Sequence, residues 1–311
     1  MTVLLTLPLR SRGTSGGVPP GDAREETQTM DVLLPITTYP DVVSNVGLGR
    51  ALSLSARLGA RVKALVQEVE IAPIHSALGE ALLGASNMAL EVEALNRDRA
   101  GNARKWVEER AASLELPLEV AALRCGPETF IDCLLPITRY HDLTALALDG
   151  ADPHRRADAE AVIFGSGGPV MVVPPQEAAV PVAEIRSTPL KVVVAWDGGS
   201  FAARALRDAM TILTRADIVS IVTVGDDKTV DPGGLSGIQS FLLRRGVKAQ
   251  HLSRTRGTSP IGDILQAVAI SQDADLLVMG AVRRNRVQEI ILGGATQSIL
   301  RAVRLPILLS H

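Results

Sequence analysis

Residues 276–311 read LLVMGAVRRNRVQEIILGGATQSILRAVRLPILLSH, and the order of signals in this stretch decides the fold. Leu276 to Met279 is a short apolar run stopped by Gly280, the form of a buried parallel strand. An Arg-rich loop, Val282 to Arg286, leads to the pair Gly293-Gly294. From Ala295 the apolar residues fall at Ala295, Ile299, Ala302 and Val303, which is helical spacing. Pro306 then precedes a last apolar run, Ile307 to Leu309. The order is strand, loop, glycine pair, helix, strand. Glycines at a helix start let backbone N–H groups approach an anion, and the helix dipole favours negative charge there. A phosphate site is one reading of the pair; an ordinary helix start is the other.

The same order extends backwards. Val192 to Ala195 is a strand running into Trp196-Asp197-Gly198-Gly199, and Phe201 to Leu213 is a helix. Ile218 to Val224 and Val247 to Leu252 are strands, Leu235 to Arg245 and Ile261 to Ile270 helices, with Ser259-Pro260 marking the entry of the last. Upstream, strands are expected at Val32 to Ile36, Val62 to Val66, Leu118 to Leu123, Leu143 to Leu148 and Val170 to Val173. Helices are expected at Val46 to Leu58, from the periodic leucines Leu78 to Leu95 on to about Ala112, at Thr129 to Tyr140, and before Gly168. Each half closes on a Pro-led strand, Gly168-Pro169-Val170 and Leu305-Pro306-Ile307. This is an internal duplication at domain length rather than a solenoid repeat. Strands alternating with helices give an α/β class with a doubly wound, Rossmann-like parallel sheet of five strands in each half. Ligands of such sheets bind at the carboxyl ends of the strands, where strand order reverses.

The expected organisation is a disordered tail at 1–29, a first domain at 30–175, a linker at 176–189 and a second domain at 190–311. Met30 stands directly before the first strand and is an alternative start of translation. The chain has 311 residues, enough for two cores, and at 46% hydrophobic but 3% aromatic its interior is aliphatic. A net charge of −2 gives no general attraction to nucleic acid or an anionic membrane. No apolar run is long enough to span a bilayer. Cys125 and Cys133 form neither a disulfide framework nor a paired metal site. Two buried thiols in a reducing, cytoplasmic compartment is the reading they support.

The second half resembles the universal stress protein family. The residues that carry this are KVVVAWDGGSFAARALRDA from Lys191, the strand Ala274 to Gly280, and GGATQSILRAVRLPILLSH from Gly293. Residues 30–175 resemble it more weakly, by strand order and the Gly-Pro-Val ending. The resemblance implies two tandem domains of the adenine nucleotide alpha hydrolase-like fold, paired as a pseudo-dimer through Val170 to Val173 and Ile307 to Ser310, and it leaves a further homodimer open. It implies ATP or a related adenine nucleotide as ligand of the second half. Ala195 and Asp197 would lie near the adenosine and Val224 beside the base. Met279 and Gly280 would lie by base and ribose, and Gly293, Gly294, Ala295 and Thr296 by the phosphates. The family's nucleotide binders carry Gly, two residues, Gly, nine residues, Gly, then Ser or Thr. Gly280 and Gly293 match; Arg283 replaces the second glycine and Gly294 the hydroxyl residue.

The residues themselves leave alternatives open. The Asp197 carboxylate can accept from ribose hydroxyls or simply make the turn. Thr296 can donate to a phosphate or cap its helix. Arg283 can grip phosphate with Arg284 and Arg286, block the site, or lie in a solvated loop. In the first half Thr37 stands where Asp197 does, and the glycines of Gly165-Ser166-Gly167-Gly168 end a helix rather than start one. That half is expected to bind no nucleotide and to act as structural partner. No metal-spaced histidines, nucleophile elbow or Walker loop occur, and Ser200 is expected to cap its helix. The expected function is a stress-response protein that binds nucleotide with at most weak ATP hydrolysis. The alternative is a nucleotide-free interaction scaffold on the same fold.

Overall fold

The computed structural model describes residues 29–71, 85–175, 188–225, 232–286 and 289–311. The expectations for the tail, for Leu78 to Leu83 and for most of the linker lie outside them.

The strands of the first half are β1 (Asp31–Ile36), β2 (Arg61–Val69), β3 (Leu118–Cys125), β4 (Leu143–Ala147) and β5 (Val170–Val173). Those of the second are β6 (Lys191–Ala195), β7 (Ile218–Val224), β8 (Ala249–Arg254), β9 (Leu276–Gly280) and β12 (Ile307–Ser310), with a separate pair β10 (Arg283–Arg286) and β11 (Glu289–Leu292). The helices are α1 (Asn45–Arg57), α2 (Ala85–Ser113), α3 (Phe130–Thr138), α4 (Pro153–Gly165), α5 (Ser200–Asp208), α6 (Met210–Leu213), α7 (Pro232–Leu243), α8 (Ile261–Ser271) and α9 (Gly294–Arg301).

One ten-stranded sheet runs β3-β2-β1-β4-β5-β12-β9-β6-β7-β8. Each half is parallel, with the same internal order, and the halves meet antiparallel at β5 and β12, Leu308 opposite Met171. This is the expected pseudo-dimer contact. Val170 to Val173 and Ile307 to Ser310 are all buried, so the seam strands carry the continuous apolar runs of a sheet covered on both faces. Two cores, one per face, each span both halves. One packs Leu34, Leu48 and Val107 with Val194, Ile212 and Leu276; the other packs Leu33, Leu134 and Val162 with Leu277, Ile299 and Leu309.

The duplication also appears in matched hydrogen bonds. The Asp31 N–H donates to Asp142 Oδ2 at 2.8 Å, and the Lys191 N–H donates to Asp275 Oδ2 at 2.9 Å. The Thr144 N–H donates to the Pro169 carbonyl as the Leu277 N–H does to that of Pro306.

The structure corrects several local expectations. The Arg-rich segment after β9 opens an antiparallel hairpin, Arg283 opposite Leu292. The helix from Phe201 breaks at Ala209 into α5 and α6. Ser200 does not cap α5: the cap position is Gly199, and no side chain bonds there. The buried stripe of α9 is Thr296, Ile299 and Leu300; Ala302 lies past the helix end and is exposed. Cys133 is only half-buried.

Candidate functional site

Within the second half, β6 and β9 are neighbours, but the chain leaves them towards opposite ends of the sheet order. Their carboxyl ends therefore frame the crevice at the switch point. Ala195 is buried at the end of β6, and the Trp196 N–H donates to the Val222 carbonyl at 2.8 Å, extending that edge. The exposed Asp197 follows. Its Oδ1 accepts from the Gly199 N–H at 2.8 Å, and Gly198 has φ +79, which a side chain would strain. One carboxylate oxygen thus makes the turn, and the other accepts no hydrogen bond among the described residues. Val224 ends β7 on the next strand, half-buried.

Opposite them, Met279 is buried and Gly280 closes β9. A Cβ on Gly280 would lie 2.6 Å from the Phe201 carbonyl carbon, so the glycine lets β9 approach the first turn of α5. The loop beyond is tied to α9. The Val282 N–H donates to Thr296 Oγ1 at 3.2 Å, and the Gly293 N–H donates to the Val282 carbonyl at 2.8 Å. Thr296 is buried, so its hydroxyl neither caps α9 nor faces the crevice openly; it fixes the loop. Gly293 is the N-cap of α9 with no side-chain hydrogen bond. Gly294 is exposed, and a Cβ there would meet nothing within 4 Å. Among the described residues, then, space is free beside Gly294 and the cap residue of α9 makes no side-chain hydrogen bond, the arrangement that receives an anion.

Arg283 is exposed. Its guanidinium carbon lies 5.5 Å from the centroid of Phe164, on α4 of the first half.

The corresponding crevice of the first half is filled. Arg155 donates to Thr37 Oγ1 and to the Asp41 carbonyl. Asp152 caps α4, accepting from the His154 and Arg155 N–H groups at 2.8 and 3.4 Å. A carboxylate thus occupies the anion position, and only about 40 Å³ remains beside Thr37, Arg155 and Val162. The loop after β1 is clamped from below. Thr38 is fully buried, its N–H donates to Gln67 Oε1 at 3.0 Å, and Asn96 Nδ2 donates to Thr38 Oγ1 at 2.6 Å. Asp152 to Arg156 is the capped start of α4 and the plug of this crevice. The Asp-Pro pair at 152–153, a cap followed by a helix-opening proline, is the signal that identifies it.

A cavity of about 1050 Å³ lies elsewhere, between α1 and the amino ends of β6, β9 and β12. Its acids are engaged: Asp275 by Arg57 and Asp273 by Lys191. No glycine-led helix start opens into it among the described residues. Among those residues no cluster of His, Cys, Asp and Glu could hold a metal, and no helix is long and apolar enough to cross a membrane.

Residues 190–311 match the model of the Universal stress protein family. A relative from Synechocystis sp., universal stress protein Slr1230, is 26% identical over 190 residues, covering 57% of this chain and 61% of the relative. The chain thus spans about three-fifths of that relative's length. A universal stress protein from Archaeoglobus fulgidus DSM 4304 superposes with TM-score 0.65 at 16% identity, covering 91% of this chain and 98% of that one. A protein titled functionally unknown, PA1789 from Pseudomonas aeruginosa PAO1, gives 0.52 at 14% identity, covering 93% and 94%. At these identities the solved structures share the fold, tandem halves included.

Proposed function

We propose that this chain, whose second half is a universal stress protein domain, is a stress-response protein that binds ATP or a related adenine nucleotide in the crevice between β6 and β9. The carrying observation is the open start of α9 at Gly293-Gly294, set against the same place in the first half, which Asp152 caps and Arg155 fills. The phosphates would meet the Gly294 and Ala295 N–H groups, and the free oxygen of Asp197 would accept from the ribose. Met279 and Val224 would flank the base. Turnover in this reading is at most slow, and the first half serves as structural partner. The free cysteines suit a cytoplasmic setting.

The test is calorimetric titration of ATP into the full chain and into Asp197→Asn, which keeps the turn acceptor and loses the second carboxylate oxygen. Binding near one site per chain, weakened in the variant, is expected. Two observations favour a nucleotide-free scaffold instead: Arg283 faces Phe164, and Gly294 supplies no hydroxyl. No heat at millimolar ATP would select that reading.

A further inference from the structure

The proposed crevice and the first half share one side chain. The loop leaving β9 is pinned at three successive residues. The Ala281 carbonyl lies 3.2 Å from His311 Nδ1, the Val282 N–H is held by Thr296, and Arg283 pairs with Leu292 at the base of the hairpin. Leu292 directly precedes the cap residue Gly293. The Arg283 backbone is therefore fixed within one side-chain length of the open start of α9. Its guanidinium instead lies over Phe164, 5.5 Å from the ring centroid.

Phe164 belongs to a stack that crosses the seam. It meets His311 edge-on at 4.7 Å, and His311 stacks on Phe201 at 5.4 Å. Phe201 is the residue that Gly280 abuts at the crevice. Glu160, one turn before Phe164 on α4, also feels this arginine. Burial pushes its carboxyl up, while Arg156 and Arg283 pull it down. Arg283 itself is exposed, so packing does not hold it where it lies.

We infer that Arg283 is shared between two positions: on Phe164 of the first half when the crevice is empty, and on the phosphates when a nucleotide is bound. The inference rests on the nucleotide reading above. A solvent-exposed guanidinium over a half-buried ring is held weakly, whereas paired hydrogen bonds to phosphate are among the stronger contacts an arginine makes. Phosphate therefore takes the side chain, and α4 loses it. By linkage, whatever holds Arg283 on Phe164 weakens phosphate binding by the same factor. The first half then reads the occupancy of the second.

The experiment uses the full chain in two arms. In the first, ATP and adenosine affinities are measured for wild type, Phe164→Leu, Phe164→Tyr and the double variant Phe164→Leu/Arg283→Gln. Phe164→Leu should tighten ATP about two- to fivefold, the size of a lost exposed cation–π contact. Adenosine should not change, Phe164→Tyr should behave as wild type, and the double variant should lose the gain. Unchanged or weaker ATP binding in Phe164→Leu, with Phe164→Tyr folded as control, overturns the inference. In the second arm, the Glu160 carboxyl is titrated by NMR without ligand, with and without Arg283→Gln. The variant should raise its pKa further, because a stabilising cation is removed. A Glu160 titration that does not move shows that Arg283 does not sit at the seam, and overturns the inference whether or not nucleotide binds. If Glu160 moves but neither wild type nor Phe164→Leu binds ATP, the nucleotide reading has failed; Arg283 is then a static clamp and has no second position.

Discussion

Gly294→Asp separates phosphate binding from folding. Gly294 is the first residue of α9, is exposed, and has free space where a Cβ would stand. Its φ lies outside the left-handed region, so an L-residue fits without strain. A carboxylate in the first helical turn is favoured by the macrodipole by about 0.3–1 kcal/mol. Replacing glycine in a helix adds about 0.5–1 kcal/mol. The variant should thus fold as well as wild type or melt slightly higher. A phosphate seated on the same N–H groups would lie roughly 4–5 Å from the new carboxylate. Unit charges at about 4 Å repel by about 1 kcal/mol in water and about 4 kcal/mol near a protein surface. For this open site about 1–3 kcal/mol per phosphate charge is expected, or roughly 5- to 150-fold weaker ATP binding. Adenosine carries no charge there and should bind as before. The assay is calorimetry with ATP and adenosine, with Gly294→Ala as the control that changes the backbone and not the charge. ATP affinity within about twofold of wild type in Gly294→Asp would show that the start of α9 is not the phosphate site.

Two further predictions concern the packing of the fold. Gly280→Ala places a methyl 2.6 Å from the Phe201 backbone and should destabilise by about 1–3 kcal/mol through overpacking, read as a lower melting midpoint; an unchanged midpoint would mean that β9 and α5 are not in close contact. Burial, then the neighbouring Cys133, pushes the Cys125 thiol up to about 11, so at pH 8.5 iodoacetamide should alkylate half-buried Cys133 first. At that pH Cys125 has roughly a hundredfold less thiolate than an ordinary cysteine. In denaturant the two should react alike; equal rates in the native chain would contradict the buried position of Cys125.

Strand order was legible because it rests on local pattern. A run such as Val192 to Ala195 is apolar at every position, which only a sheet covered on both faces uses. The seam was legible for a related reason: Val170 to Val173 and Ile307 to Leu309 each end a half and have no polar side to show solvent. The hairpin was not legible, because Arg283 to Arg286 has the composition of a solvated loop and strand pairing there depends on Glu289 to Leu292 returning beside it. The filled state of the first crevice was also hidden. Arg155 reaches Thr37, 118 positions away, and no periodicity encodes where a side chain that long will turn. Thr296 shows the same limit. Its place near a helix start suggested a cap, and only the tertiary position of Val282 decides that its hydroxyl ties down the loop.

The two crevices can differ because one chain carries both. A symmetric pair of identical chains repeats each substitution in both sites, so filling one fills the other. Here Asp152 and Arg155 stand in one half, while Gly293 and Gly294 stand in the other. The first half nevertheless bears on the second crevice at two points. A Cβ on Gly150 would lie 2.5 Å from the Leu300 carbonyl oxygen and 2.6 Å from that of Arg301, so the carboxyl end of α9 rests directly on the first half's backbone. The amino end of the same helix is the proposed phosphate site, and the loop pinned to it carries Arg283 back to Phe164. The first half thus supports, at the carboxyl end, the helix whose amino end is the proposed phosphate site.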